Sequence, residues 1–357
     1  MATEQAIDEA KVEEFLEQAI GDFSGTMTFA LCHVGDRLGL FKDLAENGPA
    51  TPAELAKRAG IDERYAAEWL RGLTAPGYLG YDEGSGRYEL SPEHAMVLAV
   101  EGSPAFLGGG FQMFGGMLQP LDSIIRSFRE GGGAGQDEYG DDWWAGMERF
   151  TGGWIENFLI QEWIPGMPDV KAKLEAGCDF ADVGCGSGKA LIKLAQEFPE
   201  SRFAGYDIFE TQVERARANV EEAGLSDRID IGVADAGKGL PEQYDAISTF
   251  DVIHDAADPL GLLKGIHKSL NPDGIYICLD INCADRHEEN EGPLAAMFYG
   301  FSVFYCMTTS LANGGAGLGT CGLPEAKARE LCNEAGFSEL RRVPMENPFN
   351  NLYEARA

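Results

Sequence analysis

The sequence predicts an α/β protein: a Rossmann-like doubly wound sheet in the C-terminal half, preceded by a mainly α winged-helix-like domain. Three observations predict it. From about residue 178 onward, short apolar runs alternate with amphipathic helical stretches, the pattern of a parallel sheet covered on both faces. The turn after the first run reads DVGCGSGK, with Gly184, Gly186 and Gly188 alternating at a strand-to-helix junction. Before residue 100, three helical patterns lead into two short runs joined by a turn, the order of a winged helix. A chain of 357 residues also exceeds what one hydrophobic core usually serves. The expected division is residues 1–100, a helical linker and lid over 101–170, and the sheet domain over 171–357.

In the first domain, Met27, Leu31, Val34, Leu38 and Phe41 recur at three- and four-residue steps and predict a buried helical stripe. TPAELAKRAG follows: Thr51 is a natural N-cap, Pro52 suits the first turn, Glu54 completes a capping box, and Gly60 ends the helix. Asp62 can cap a third helix, in which Tyr65 and Trp69, with Ala66, Leu70 and Leu73, share one face. GYLGYDEGSGRYEL then predicts a hairpin turning at Glu83–Gly86.

Residues 102–142 are glycine-rich, and a densely aromatic helical stretch, WWAGMERFTGGWIENFLIQEWI, follows. The strands come next: CDFADVG, RFAGYD, RIDIGVAD, YDAISTFD and GIYICLDIN, with helices between them, and SELRRVPM and NLYEARA as closing strands. In such a sheet, ligands sit beyond the carboxyl ends of the strands.

Composition excludes several function classes. The net charge is −31, from 59 Asp and Glu against 28 Lys and Arg, so phosphate backbones and anionic lipids are repelled. The third helix carries Arg64 and Arg71 but also Asp62, Glu63 and Glu68, which disfavours nucleic-acid reading and points to a dimerisation domain instead. MATEQAIDEAKVEEFLEQAI reads as an acidic amphipathic helix, not a signal peptide, and no stretch approaches about 18 unbroken apolar residues. A cytoplasmic, membrane-free homodimer is expected. The eight cysteines include no C-x-x-C pair, and Cys278 and Cys283, the closest two, have no histidine at ligand spacing, so no metal is expected.

Three motifs place glycines at such a turn. A P-loop needs four residues before its Gly-Lys pair and then Ser or Thr; here three intervene and Ala190 follows. A dinucleotide fingerprint needs its third glycine where Lys189 stands, although Asp207 supplies its acidic residue. The remaining pattern, Asp-x-Gly-x-Gly-x-Gly, resembles the class I S-adenosylmethionine-dependent methyltransferases. Together with the front domain, FDVIHDAADP, LNPDG and the C-terminal segment, it is similar to bacterial winged-helix enzymes related to small-molecule O-methyltransferases. The resemblance implies S-adenosylmethionine as cofactor and S-adenosylhomocysteine as product. It assigns Asp182, Gly184, Gly186 and Gly188 to the cofactor turn, Asp207 with Ile208 to the ribose hydroxyls, Asp235 with Ala236 to the adenine edge, and Phe250 with Asp251 to the same site. A carboxylate suits two vicinal hydroxyls because it accepts two charge-assisted hydrogen bonds.

The same resemblance implies a general base at His254, with Asp255 or Asp258 orienting its imidazole. Resting on an unperturbed imidazole, the expected pH limb lies near neutrality. Tyr139, Trp143, Trp144 and Tyr305 are the expected wall of the pocket for a small-molecule methyl acceptor; core packing explains them as well. The acceptor atom stays open between oxygen and sulfur, including a thioether such as methylthiohydroxybutyrate in dimethylsulfoniopropionate synthesis. A cofactor-sensing winged-helix regulator and a catalytically idle dimer partner are the readings of other classes. NGGAGLGTCG at 313–322 repeats the glycine alternation without a preceding strand and is expected as a loop near the acceptor mouth.

Overall fold

The computed structural model describes residues 7–357, so the first six residues of the expected N-terminal helix lie outside the described residues. The chain forms two compact units, Met1–Gly116 with Asp142–Phe150, and Met117–Asp141 with Thr151–Ala357. Residues 101–170 are thus shared between the two.

In the first unit, helices Glu9–Arg37, Leu40–Asn47, Pro52–Ala59 and Glu63–Thr74 precede a hairpin of β1 (Gly80–Asp82) and β2 (Arg87–Glu89) and a helix Pro92–Leu98. Both capping-box bonds form: the Glu54 N–H donates to the Thr51 hydroxyl at 3.3 Å, and the Thr51 N–H donates to the Glu54 carboxylate at 2.9 Å. Asp62 accepts from the backbone N–H groups of Arg64 and Tyr65. An antiparallel bridge from Ala50 to Tyr88 attaches the wing to the helices. Phe41, Leu55, Trp69, Leu70 and Leu73 fill the core.

Two sequence expectations change here. Met27, Val34 and Leu38 are exposed, and the helix instead buries Thr28, Cys32 and Gly35, which recur at steps of four and three. The physical reason lies at Gly35, where a Cβ would stand 2.5 Å from the Trp69 ring; the close approach goes to the face with small residues, and the Trp69 indole N–H donates to the Leu31 carbonyl at 2.9 Å. Tyr65 is 79% exposed because, at about 100° per residue, it falls off the arc centred on the buried Ala66, Trp69, Leu70 and Leu73.

The second unit holds a seven-stranded sheet of β3 (Asp179–Val183), β4 (Arg202–Asp207), β5 (Ile229–Val233), β6 (Tyr244–Phe250), β7 (Leu270–Ile281), β8 (Glu339–Val343) and β9 (Asn350–Arg356). Its order is β5-β4-β3-β6-β7-β9-β8, with β3 to β7 parallel and β9 antiparallel to both neighbours. Helices Lys189–Glu197, Glu210–Glu222, Pro259–Lys268 and Glu325–Ala335 supply Leu191, Val213, Ile266 and Leu331 to the cores on its two faces. All seven strands fall within or overlap the runs read from the sequence. Strand order reverses between β3 and β6, which leaves a crevice at their carboxyl ends.

Gly292–Phe301 and Met307–Ala312 are joined by a π turn at Ser302–Cys306 into one helical run. By length and composition this run could cross a membrane. Here Tyr305, Cys306, Thr308, Thr309 and Ser310 are buried, and the Thr308 hydroxyl accepts from the Ala134 N–H at 2.8 Å.

Candidate active site

The glycine turn joins β3 to helix Lys189–Glu197 with positive φ at Gly184, Gly186 and Gly188, a conformation that side chains disfavour. A Cβ on Gly184 would meet Val252 at 2.6 Å, whereas at Gly186 nothing lies within 4 Å. The backbone at Gly186 is therefore open to a ligand. The Gly186 N–H donates to Asp207 Oδ2 at 3.2 Å and the Phe209 N–H to Asp207 Oδ1 at 3.0 Å, so the turn and the end of β4 meet. Burial raises the Asp207 pKa against these backbone bonds.

Asp182 is buried in β3 and accepts from the Ser248 hydroxyl at 2.6 Å. Burial pushes its carboxyl up to about 7, against the lowering effect of that bond. The unfolded chain releases this proton near the ordinary value of about 3.9, so the folded state loses stability progressively as pH rises from about 4 to about 7. Asp182→Asn is expected to flatten that fall. Melting temperatures taken at several pH values check it, and an unchanged slope in the variant would refute it.

Asp235 follows β5 and caps the turn Ala236–Lys238, accepting from the Gly237 N–H at 3.1 Å while pairing with Lys238 at 2.9 Å. Ala236 is buried beneath it, and Ile208 is 59% exposed at the sheet edge. Phe250 ends β6 with its ring 6.0 Å from that of Trp163.

Beyond β6 the chain bends at Asp251, whose φ of 55° is unusual for a residue with a side chain. The Asn350 amide donates to Asp251 Oδ1 at 2.6 Å, and burial, then the nearby Asp280 carboxylate, pushes the Asp251 carboxyl up to about 7. His254 is 3% exposed; its Nδ1 lies 2.6 Å from Asp280 Oδ1 and its Nε2 lies 3.1 Å from Asp255 Oδ1. Burial disfavours charge on the ring, but the Asp255 and Asp280 carboxylates outweigh it and hold the His254 pKa well above the ordinary value.

The carboxylate on His254 Nδ1 is that of Asp280, near the carboxyl end of β7. Asp255 sits on the opposite nitrogen, and Asp258 caps helix Pro259–Lys268 by accepting from the Gly261 N–H at 2.8 Å. The Tyr139 and Tyr305 rings meet edge to face, 5.3 Å apart, and both are buried. The Tyr139 hydroxyl donates to the Phe304 carbonyl, and the Gln136 amide donates to the Tyr305 hydroxyl at 3.3 Å. Trp143 and Trp144 belong to the first unit, where Trp143 is buried. The second glycine-rich segment docks beside the histidine turn, the Ala316 N–H donating to the Ala257 carbonyl at 2.8 Å.

Residues 174–313 match the methyltransferase domain family, and residues 26–100 match the Rv2258c-like winged HTH domain. The chain carries a methyltransferase domain behind a winged helix-turn-helix domain. The ubiquinone biosynthesis O-methyltransferase of Ruegeria pomeroyi is 34% identical over 107 residues, 30% of this chain and 42% of that protein. Aclacinomycin 10-hydroxylase RdmB of Streptomyces purpurascens is 27% identical over 248 residues, 65% of this chain and 64% of that protein. The chain spans about half the length of the ubiquinone biosynthesis O-methyltransferases it matches, from 42% to 58%. Human N-acetylserotonin methyltransferase in complex with SAM shares the fold, with a TM-score of 0.68 and 19% identity over 100% of this chain and 99% of that one. PigF with SAH does so with a TM-score of 0.69 and 20% identity, over 96% and 99%.

Four residues of the second unit escape sequence reasoning. Asp280 leaves a trace, as the one acidic residue inside the apolar run GIYICLDIN. Ser248, Cys306 and Asn350 leave none, because a hydroxyl, a thiol or an amide in a buried segment gains a partner only when distant strands and helices come together.

Proposed function

We propose that this chain transfers a methyl group from S-adenosylmethionine to an oxygen of a small molecule, with His254 as general base. The observation that carries the reading is the buried pair in which Asp280 holds His254 Nδ1 at 2.6 Å at the carboxyl ends of the sheet. The cofactor fits the residues present: the open backbone at Gly186, the Asp207 carboxylate bonded to that turn, and Asp235 with Ala236 and Ile208 at the next strand end would hold it. When bound, it supplies an electrophilic methyl on a sulfonium centre, whose positive charge also disfavours a proton on a nearby imidazole.

Asp280 keeps the proton on Nδ1 and leaves Nε2 to take the acceptor's proton, and its carboxylate balances the imidazolium that results. The paired Tyr139 and Tyr305 rings offer an apolar wall for the acceptor. An oxygen acceptor makes sense of such a base, since a thioether has no proton to lose. The likeness to a protein named as a hydroxylase makes methyl transfer itself the point to measure. Small-molecule extracts incubated with isotopically labelled S-adenosylmethionine should yield a product heavier by one labelled methyl group, in smaller amount from Asp207→Ala at limiting cofactor. Cofactor binding with no labelled product from any hydroxylated acceptor would refute the reading.

We also infer a homodimer formed through helix Glu9–Arg37. Val12, Leu16, Ile20, Phe23, Met27, Val34 and Leu38 stand exposed along it at helical steps of three, four and seven, a continuous stripe that a second copy of the same stripe can bury. Removing each such side chain from water contributes about 1.5–3 kcal/mol, so two replacements suffice to separate the copies. Light scattering should give a dimer mass for the chain and a monomer mass for the double variant Ile20→Glu, Phe23→Glu. A monomer in both would overturn the inference.

A further inference from the structure

We propose that His254, Asp255 and Cys306 form a binding site for one divalent cation of the zinc type. The donor atoms of the three residues lie within 4.8 Å of one another, and His254 Nε2 and Asp255 Oδ1 are 3.1 Å apart. In a tetrahedral zinc site, metal–ligand distances of about 2.0–2.3 Å place neighbouring donors about 3.3–3.8 Å apart, so small side-chain adjustments complete the set. Nitrogen, carboxylate oxygen and sulfur are the zinc donor types, and three protein ligands leave a fourth position open.

The surroundings support these three residues as ligands. The Asp280 carboxylate on His254 Nδ1 is the outer partner that fixes a metal-bound imidazole and turns Nε2 outward. Asp255 Oδ1 is buried 3.1 Å from His254 Nε2 and has no other polar partner, so a cation on Nε2 would meet an available carboxylate oxygen. Cys306 is buried, and its sulfur already accepts from the Thr320 hydroxyl at 2.9 Å, an arrangement that suits a thiolate. Sequence spacing could not reveal the set, because Cys306 enters from the π turn of a helix fifty-two positions beyond His254. A metal on Nε2 occupies the lone pair that receives the acceptor's proton, so cation binding and base function exclude each other. The site thereby offers a means of holding the enzyme inactive.

Cobalt(II) titration of the chelator-treated full chain tests this. One equivalent should produce a thiolate-to-cobalt charge-transfer band, and zinc should displace it. Cys306→Ser should remove the band, whereas Cys332→Ser, a buried thiol elsewhere in the domain, should keep it. Asp255→Asn and Asp280→Asn should each weaken binding about 10–100-fold. Melting curves establish that each variant is folded, and the quarter-exposed Asp255 gives a variant unlike the buried ones. No band at one equivalent, or a band that Cys306→Ser leaves intact, would overturn the proposal. The spectrum reads the site without methyl transfer, so its failure and the failure of the enzymatic reading are separable.

Discussion

Replacing His254 with alanine is expected to lower methyl-transfer turnover about 10²–10⁴-fold while leaving cofactor affinity unchanged. The side chain follows β6 and pairs with Asp280 and Asp255, whereas Asp207 bonds to the Gly186 turn, so loss of the imidazole should remove proton transfer and spare binding. The pH profile carries the sharper expectation. An imidazole accepts a proton only when neutral, and the Asp255 and Asp280 carboxylates outweigh burial in holding the His254 proton. The rate in the free enzyme should therefore climb along a limb above the ordinary imidazole range, not at neutrality as an isolated histidine would suggest. Asp255→Asn removes one of those charges and should move the limb toward acid. Asp280→Asn leaves Nδ1 without its acceptor and should depress turnover by favouring the wrong tautomer. An unshifted limb in Asp255→Asn, or a hydroxyl acceptor methylated at full rate by His254→Ala, would make this histidine structural.

What was legible in the sequence follows from where each signal resides. Strands β3, β4, β6 and β7 are buried along most of their length, so their apolar runs stand out, and Gly184, Gly186 and Gly188 announce a backbone conformation that other residues resist. Capping at Thr51 and Asp62 is local chemistry between residues two or three apart, and both caps form. Contacts between distant segments leave no such record. His254 and Asp280 are 26 positions apart, and Asp255 and Asp258 look like better partners until folding turns them to the opposite nitrogen and to a helix cap. Periodicity likewise finds an apolar stripe without saying what covers it. On helix Glu9–Arg37 the core takes the small-residue face at Gly35, and the stripe is left outside.

Asp207→Ala is expected to weaken S-adenosylmethionine binding about 10–100-fold, the worth of exchanging hydrogen bonds to a carboxylate for none. The buried position makes the effect strong, since little water is present to replace the lost acceptor. It also gives the binding a pH signature. Burial raises the Asp207 pKa, so the carboxylate is lost at a higher pH than an exposed aspartate would allow. Affinity measured by calorimetry should decline on acidification from that raised value downward. Asp207→Asn keeps the shape but has no proton to gain, so its affinity should be reduced and nearly independent of pH. The Gly186 N–H loses its partner in the alanine variant and keeps a carbonyl acceptor in the asparagine one. Comparing the two therefore separates the cost of a disturbed turn from the cost of the missing charge. Equal affinity in wild type and both variants would remove Asp207 from the cofactor site and leave the glycine turn to be explained by β3–helix packing alone.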